Sequence, residues 1–165
     1  MRSRGVLRPQ GRILWLTEDP ALVARQIAGE DLEARADAHP PLRYGVSTDL
    51  VVDGAACTLG YTPEVLGPHF LKGLAGEDAI RRAGFSVLVA GHAYGSGSSR
   101  EVAVDAHRGA GIELVVAESL SRIFQENLIY AGLPFTTDLS VVDALRAGGS
   151  IPEAELTAGL PPFFR

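Results

Sequence analysis

Cysteine is nearly absent: the 165 residues hold one, Cys57, beside one Met and one Trp. A lone cysteine rules out an internal disulfide. It also rules out an iron–sulfur cluster held by this chain alone, because a cluster takes several thiolates. A reducing compartment is the simplest expectation, and a cytoplasmic protein follows from it. Long apolar runs are missing too. No stretch approaches the roughly 20 residues that span a bilayer. Residues 1–10 contain three arginines with no apolar segment behind them, so they do not read as a secretory signal. Positive charge is in short supply. Fifteen Lys and Arg face 20 Asp and Glu, a formal net charge of −5, and the basic residues are scattered. That excludes the basic face of a nucleic-acid binder. It does not exclude an anionic substrate, since a few arginines at one site can dominate locally.

What is present suits one domain with a sizeable core: 46% hydrophobic and 21% charged residues. Residues 1–10 read as a flexible leader, 11–160 as a single domain and 161–165 as a loose tail. Arg12–Leu16 reads as a buried strand. Asp19 and Pro20 form an N-cap and first-position pair that opens a helix through Ile27. Residues 33–41 read as a loop, and Leu50–Val52 as a short extended segment. Five glycines and two prolines between Asp53 and Gly76 argue for irregular structure there, and Ile80–Ala83 is a turn of helix at most. The second half is clearer. Phe85–Ala90 and Ile112–Ala117 are near-continuous apolar strands. A helix from about Arg100 to Arg108 lies between them and stops at Gly109-Ala-Gly111. This is a βαβ unit with strands buried on both faces, hence a mostly parallel α/β sheet. Helices from Ser121 to Tyr130 and from Leu139 to Ala147 follow, the former closed by Gly132.

The segment Gly95-Ser96-Gly97-Ser98-Ser99-Arg100-Glu101 joins the first of these strands to its helix. Its glycines open backbone conformations closed to other residues. Successive amides can then face one concavity beside the positive helix end, which suits an anion. Arg100 adds a planar fork that grips a carboxylate with two hydrogen bonds, and Ser98 and Ser99 add hydroxyls. The segment alone predicts a carboxylate or phosphate site. The plain alternative is a flexible turn with a solvated Arg100, and the strand-to-helix context counts against it. No Gly-Lys-Ser/Thr follows, so it is not a P-loop, and the third glycine of the dinucleotide fingerprint is absent.

Gly97-Ser98-Ser99-Arg100-Glu101 resembles the signature of the swivel domain of aconitase, homoaconitase and the small subunit of isopropylmalate isomerase. The resemblance continues through Gly109-Ala-Gly-Ile112, Val115-Val-Ala-Glu-Ser119, Arg122-Ile-Phe124, Glu126-Asn127 and Gly132-Leu-Pro134. Upstream, Val46-Ser-Thr-Asp49 resembles the family's Ser/Thr-Thr-Asp element. It covers roughly residues 45–138. It implies a swivelling β/β/α-type domain and one half of a hydro-lyase that moves a hydroxyl between neighbouring carbons of a hydroxy di- or tricarboxylic acid. It also implies a cluster-bearing large subunit that holds a [4Fe-4S] cluster. The site residues it carries over are Ser98 as proton-abstracting base, Ser99 and Arg100 on a substrate carboxylate, Gly97 in the binding loop, and Asp49 paired with a histidine of the large subunit. Two departures stand out. Val102-Ala-Val104 replaces the family's His-Ala-Pro, and Asp53 stands where a proline often follows the Thr-Thr-Asp aspartate. The second falls at the start of the substrate-reading loop, about Val52 to Gly67, so the resemblance names no single acid. It leaves open leucine biosynthesis or a specialised pathway.

The remaining candidates have simpler explanations. His107 reads as a contact with the C-terminal helix dipole, His92 as a satisfied loop histidine, and Arg122 as an ion pair with Glu118 or Glu126. His39 and His69 have no partner at metal-ligand spacing. Trp15 and Phe124 read as core, Cys57 as a loop or core thiol. A non-catalytic anion-binding or regulatory module of the same fold is the competing function; intact Ser98, Ser99 and Arg100 argue against it.

Overall fold

The computed structural model describes residues 5–97, 101–152 and 156. Four parallel strands form its centre in the order β2 (Arg12–Trp15), β3 (Phe85–Ala90), β4 (Leu114–Ala117), β5 (Phe135–Thr136). A second, two-stranded sheet pairs β1 (Val6–Leu7) antiparallel with β6 (Ile151–Pro152). Two residues read as part of a leader therefore belong to a strand, because Leu7 finds a register opposite buried Ile151. The tail at 161–165 lies outside the described residues.

All six residues of β3 and all four of β4 are buried. Alternate side chains go to opposite faces, as a two-residue period requires. Leu14, Leu88, Ala90, Val115 and Ala117 face one core with Val23, Val51, Leu66, Val104 and Phe124. Trp15, Val87, Val89, Leu114 and Val116 face the other with Leu42, Val141 and Val142. The expected βαβ unit is β3, α7 (Val102–Gly109) and β4, and α8 (Arg122–Ala131) crosses from β4 to β5. α1 (Pro20–Ile27) starts as read, with the Asp19 carboxylate accepting from the Ala21 amide at 2.9 Å. α9 (Ser140–Arg146) closes the second face. Gly132 ends α8 in the left-handed conformation, φ 72°.

Two local readings need correction. Thr48–Val51 is a helical turn, α2, rather than extended chain. Ser47 takes the N-cap position and its hydroxyl accepts from the Leu50 amide, which outweighs the β-preference of the valines. The glycine-rich stretch after Asp53 is a chain of single turns: α3 (Gly54–Cys57), α4 (Pro63–Leu66), a 3-10 turn (Gly67–His69) and α5 (Lys72–Ala75), before α6 (Ala79–Ala83). Asp53 caps α3 through the Ala56 amide at 2.8 Å, so the residue that replaces the family's proline does a capping job. Glycine here serves close packing. A Cβ on Gly109 would lie 1.8 Å from the Pro63 carbonyl oxygen, so only bare backbone lets α4 sit against the end of α7.

Candidate active site

The chain leaving β3 turns sharply at Ala93, whose φ is +58°, and then runs as a strap between two neighbouring segments. On one side Ser47 bridges Ser96 in parallel register. Gly45 N–H donates to His92 O at 2.9 Å, Gly95 N–H to Val46 O at 2.8 Å, and Thr48 N–H to Ser96 O at 3.0 Å. On the other side Tyr94 bridges Leu120, with Tyr94 N–H to Ser119 O at 3.1 Å and Ser121 N–H to Tyr94 O at 3.0 Å. The strap thus extends the parallel sheet beyond β3. Gly95 is obligatory in it: φ is +78°, and a Cβ would stand 2.3 Å from the Phe124 ring.

This ladder locates two of the five sequence-predicted residues, Gly97 and Asp49. Gly97, φ +88°, follows directly on Ser96. Asp49 lies exposed in the first turn of α2, two residues beyond Ser47, so the ladder's end brings the two elements together. Ser98, Ser99 and Arg100 lie outside the described residues. Glu101, in helical conformation, leads into α7.

Behind the strap is a buried polar pair. Tyr94 and His107 are 1% and 0% exposed, with the phenol oxygen 2.6 Å from His107 Nε2. His107 Nδ1 is 2.6 Å from Ala103 O, which can only accept, so Nδ1 carries the proton and Nε2 accepts from the phenol. Burial lowers the His107 pKa to about 4 against the opposing pull of the Ala103 hydrogen bond, and burial raises that of Tyr94. Phe70 and Phe124 pack on the imidazole, with ring centroids 4.6 and 5.6 Å away. The reading of His107 as a dipole contact is therefore wrong. Its position beside Ala103, Val104 and Ala106 on the buried face of α7 was the available signal.

The other candidates scatter. His92 is largely exposed, 3.2 Å from Ser119 Oγ and 3.6 Å from Glu118. Arg122 pairs with Glu126 at 3.4 Å, one of the two partners expected. His39 stacks on Trp15, and Trp15 and Phe124 are core. Ser119 and Ser121 were missed. Ser119 Oγ accepts from Ala93 N–H at 2.8 Å and Ser121 Oγ donates to Gly95 O at 2.8 Å. Among the described residues no group of three or more His, Cys, Asp or Glu could hold a metal ion, and Cys57 is the sequence's sole thiol. The donor set of this chain does not fit an iron–sulfur cluster. No described helix is long and apolar enough to cross a membrane.

Residues 76–138 match the family model of the aconitase C-terminal domain. The chain is 42% identical over 120 residues to the 3-isopropylmalate dehydratase small subunit of Pyrobaculum calidifontis, covering 71% of this chain and 72% of that one. It is 35% identical over 120 residues to the small subunit from Halothermothrix orenii, covering 72% of each. A crystal structure of 3-isopropylmalate dehydratase from Methanocaldococcus jannaschii superposes with a TM-score of 0.50 at 35% identity, over 56% of this chain and 55% of that one. The chain belongs to the 3-isopropylmalate dehydratase small subunits, hydro-lyases of the aconitase family.

Proposed function

We propose that this chain is the mobile half of a two-subunit hydro-lyase, acting on 3-isopropylmalate or a related hydroxy di- or tricarboxylate, and that its contribution is the segment from Gly97 to Arg100 together with Asp49. The observation that carries the reading is the Ser47–Ser96 pairing, which joins the turn holding Asp49 to Gly97. The lack of a fitting donor set in this chain supports placing the [4Fe-4S] cluster, the Lewis acid of such enzymes, on a large subunit. The small-subunit name of the relatives supports that partner.

In this reading Ser98 Oγ takes the proton from the carbon next to a substrate carboxylate. A neutral serine is a poor base, so the alkoxide it needs is stabilised by loop amides, the N-terminal end of α7 and the Arg100 guanidinium. Arg100 grips the carboxylate in two-pronged fashion, with Ser99 as a further donor. Departure of the hydroxyl falls to groups outside this chain. Asp49 steadies a histidine of the large subunit.

The test is anaerobic hydration of an unsaturated di- or tricarboxylate by the chain alone, with its large subunit, and with Ser98→Ala or Ser99→Ala in the complex. Turnover requires both subunits. Ser98→Ala lowers kcat by several orders of magnitude with KM nearly unchanged, whereas Ser99→Ala chiefly raises KM. Substantial turnover by the isolated chain, or full activity of Ser98→Ala, overturns the reading.

A further inference from the structure

We infer that Ser121 is a positioning residue for the catalytic loop: its hydroxyl, by holding the Gly95 carbonyl, sets the plane of the Gly95–Ser96 peptide. This rests on the reading of residues 97–100 as catalytic. Serine is among the preferred N-cap residues, and Ser121 has N-cap geometry at the start of α8, with φ −62° and ψ 147°. Yet its side chain makes no capping hydrogen bond. The hydroxyl instead donates to Gly95 O at 2.8 Å, across 26 residues of sequence.

The geometry makes that bond consequential. A trans peptide is planar, so fixing the Gly95 C=O fixes the Ser96 N–H on the opposite side. Glycine at φ +78° has wide rotational freedom, and this is the peptide where the strap most needs restraint. The next peptide is held from the other flank, by Thr48 N–H on Ser96 O at 3.0 Å. Two bonds from two different elements therefore fix the two peptides that precede Gly97. The Thr48 bond is backbone and survives any side-chain change at Ser121. The Ser121 bond depends on one hydroxyl. Its neighbour Ser119 anchors the turn one step earlier, through Ala93 N–H. Backbone bonds on both sides keep the strap folded without Ser121, so its loss loosens aim rather than structure.

The experiment uses the reconstituted two-subunit enzyme carrying Ser121→Ala, Ser121→Gly, Ser121→Thr or Ser98→Ala. Ser121→Ala is expected to lower kcat by about tenfold to 100-fold, the scale of a small misplacement of a reacting group, with KM changed less than about twofold. Ser121→Gly, an accepted N-cap type without a hydroxyl, shows the same loss, and Ser121→Thr restores kcat. Melting temperatures stay close to that of the parent. Parent-like kcat in Ser121→Gly overturns the inference, as does a kcat loss in Ser121→Ala that follows loss of folded protein and is absent in Ser121→Gly. If Ser98→Ala is inactive while the Ser121 variants keep kcat, the positioning role alone fails. If Ser98→Ala is also fully active, the catalytic reading fails with it.

Discussion

The phenol of Tyr94 donates to Nε2 of His107 at 2.6 Å, and this buried bond ties the strap that leaves β3 to α7. Both groups are desolvated, so the bond is short of alternatives: neither partner can turn to water when it breaks.

The His107 pKa near 4, against an ordinary 6.5, makes stability depend on pH. Between those values the unfolded chain binds a proton at this residue and the folded chain does not. Stability is therefore full above about pH 6.5 and is lost as pH falls toward 4, by about 3 kcal/mol from this group. Urea unfolding at pH 7 and at pH 4.5 measures the slope. His107→Leu flattens it; an unchanged slope shows that other groups govern the acid limb.

Tyr94→Phe removes the donor and leaves Nε2 buried without a partner. The expected cost is about 1–3 kcal/mol. Tyr94→Phe combined with His107→Leu removes both polar groups, so the double variant is destabilised by less than the sum of the single changes. Strict additivity in denaturant melts contradicts the bond.

Gly109→Ala forces a Cβ to within 1.8 Å of the Pro63 carbonyl oxygen, backbone that cannot rotate aside. α4 and the turn after it must move off α7, at a cost of about 2 kcal/mol or more. Thermal unfolding reads the loss. A variant as stable as the parent shows that α4 is free to shift.

Arg100→Lys keeps the charge and loses the two-pronged contact. In the two-subunit enzyme it raises KM by roughly 30-fold or more, on the scale of a charged hydrogen bond of about 2 kcal/mol. An unchanged KM returns Arg100 to solvent and favours the flexible-turn alternative.

Much was legible in the residues themselves. Phe85–Ala90 matched its strand to the residue, since a near-continuous apolar run, broken only by Ser86, suits a strand covered on both faces. Asp19-Pro20 announced α1, and Gly132 closed α8, because caps are local chemistry. The motif and its family were equally local. Other features depended on partners distant in sequence. Thr48–Val51 turned helical because Ser47 caps it and its first amide is taken by Ser96, 48 positions on. Among the glycines after Asp53, Gly67 proved to be a packing contact against the Gly109 backbone, which no composition count distinguishes from flexibility.

By itself the sequence determined the class of fold, the family and the inability of this chain alone to hold a cluster, since periodicity, motif order and a lone cysteine are properties of the chain alone. Only the tertiary structure decided that the turn carrying Asp49 pairs with the strap before Gly97, through Thr48 N–H on Ser96 O, that His107 is a neutral partner of Tyr94, and that the Ser121 hydroxyl serves Gly95 rather than its own helix. Each is a contact between segments whose separation in the chain carries no information about their distance in space. Each was settled by which buried polar group had to find a partner when the two cores closed on the sheet.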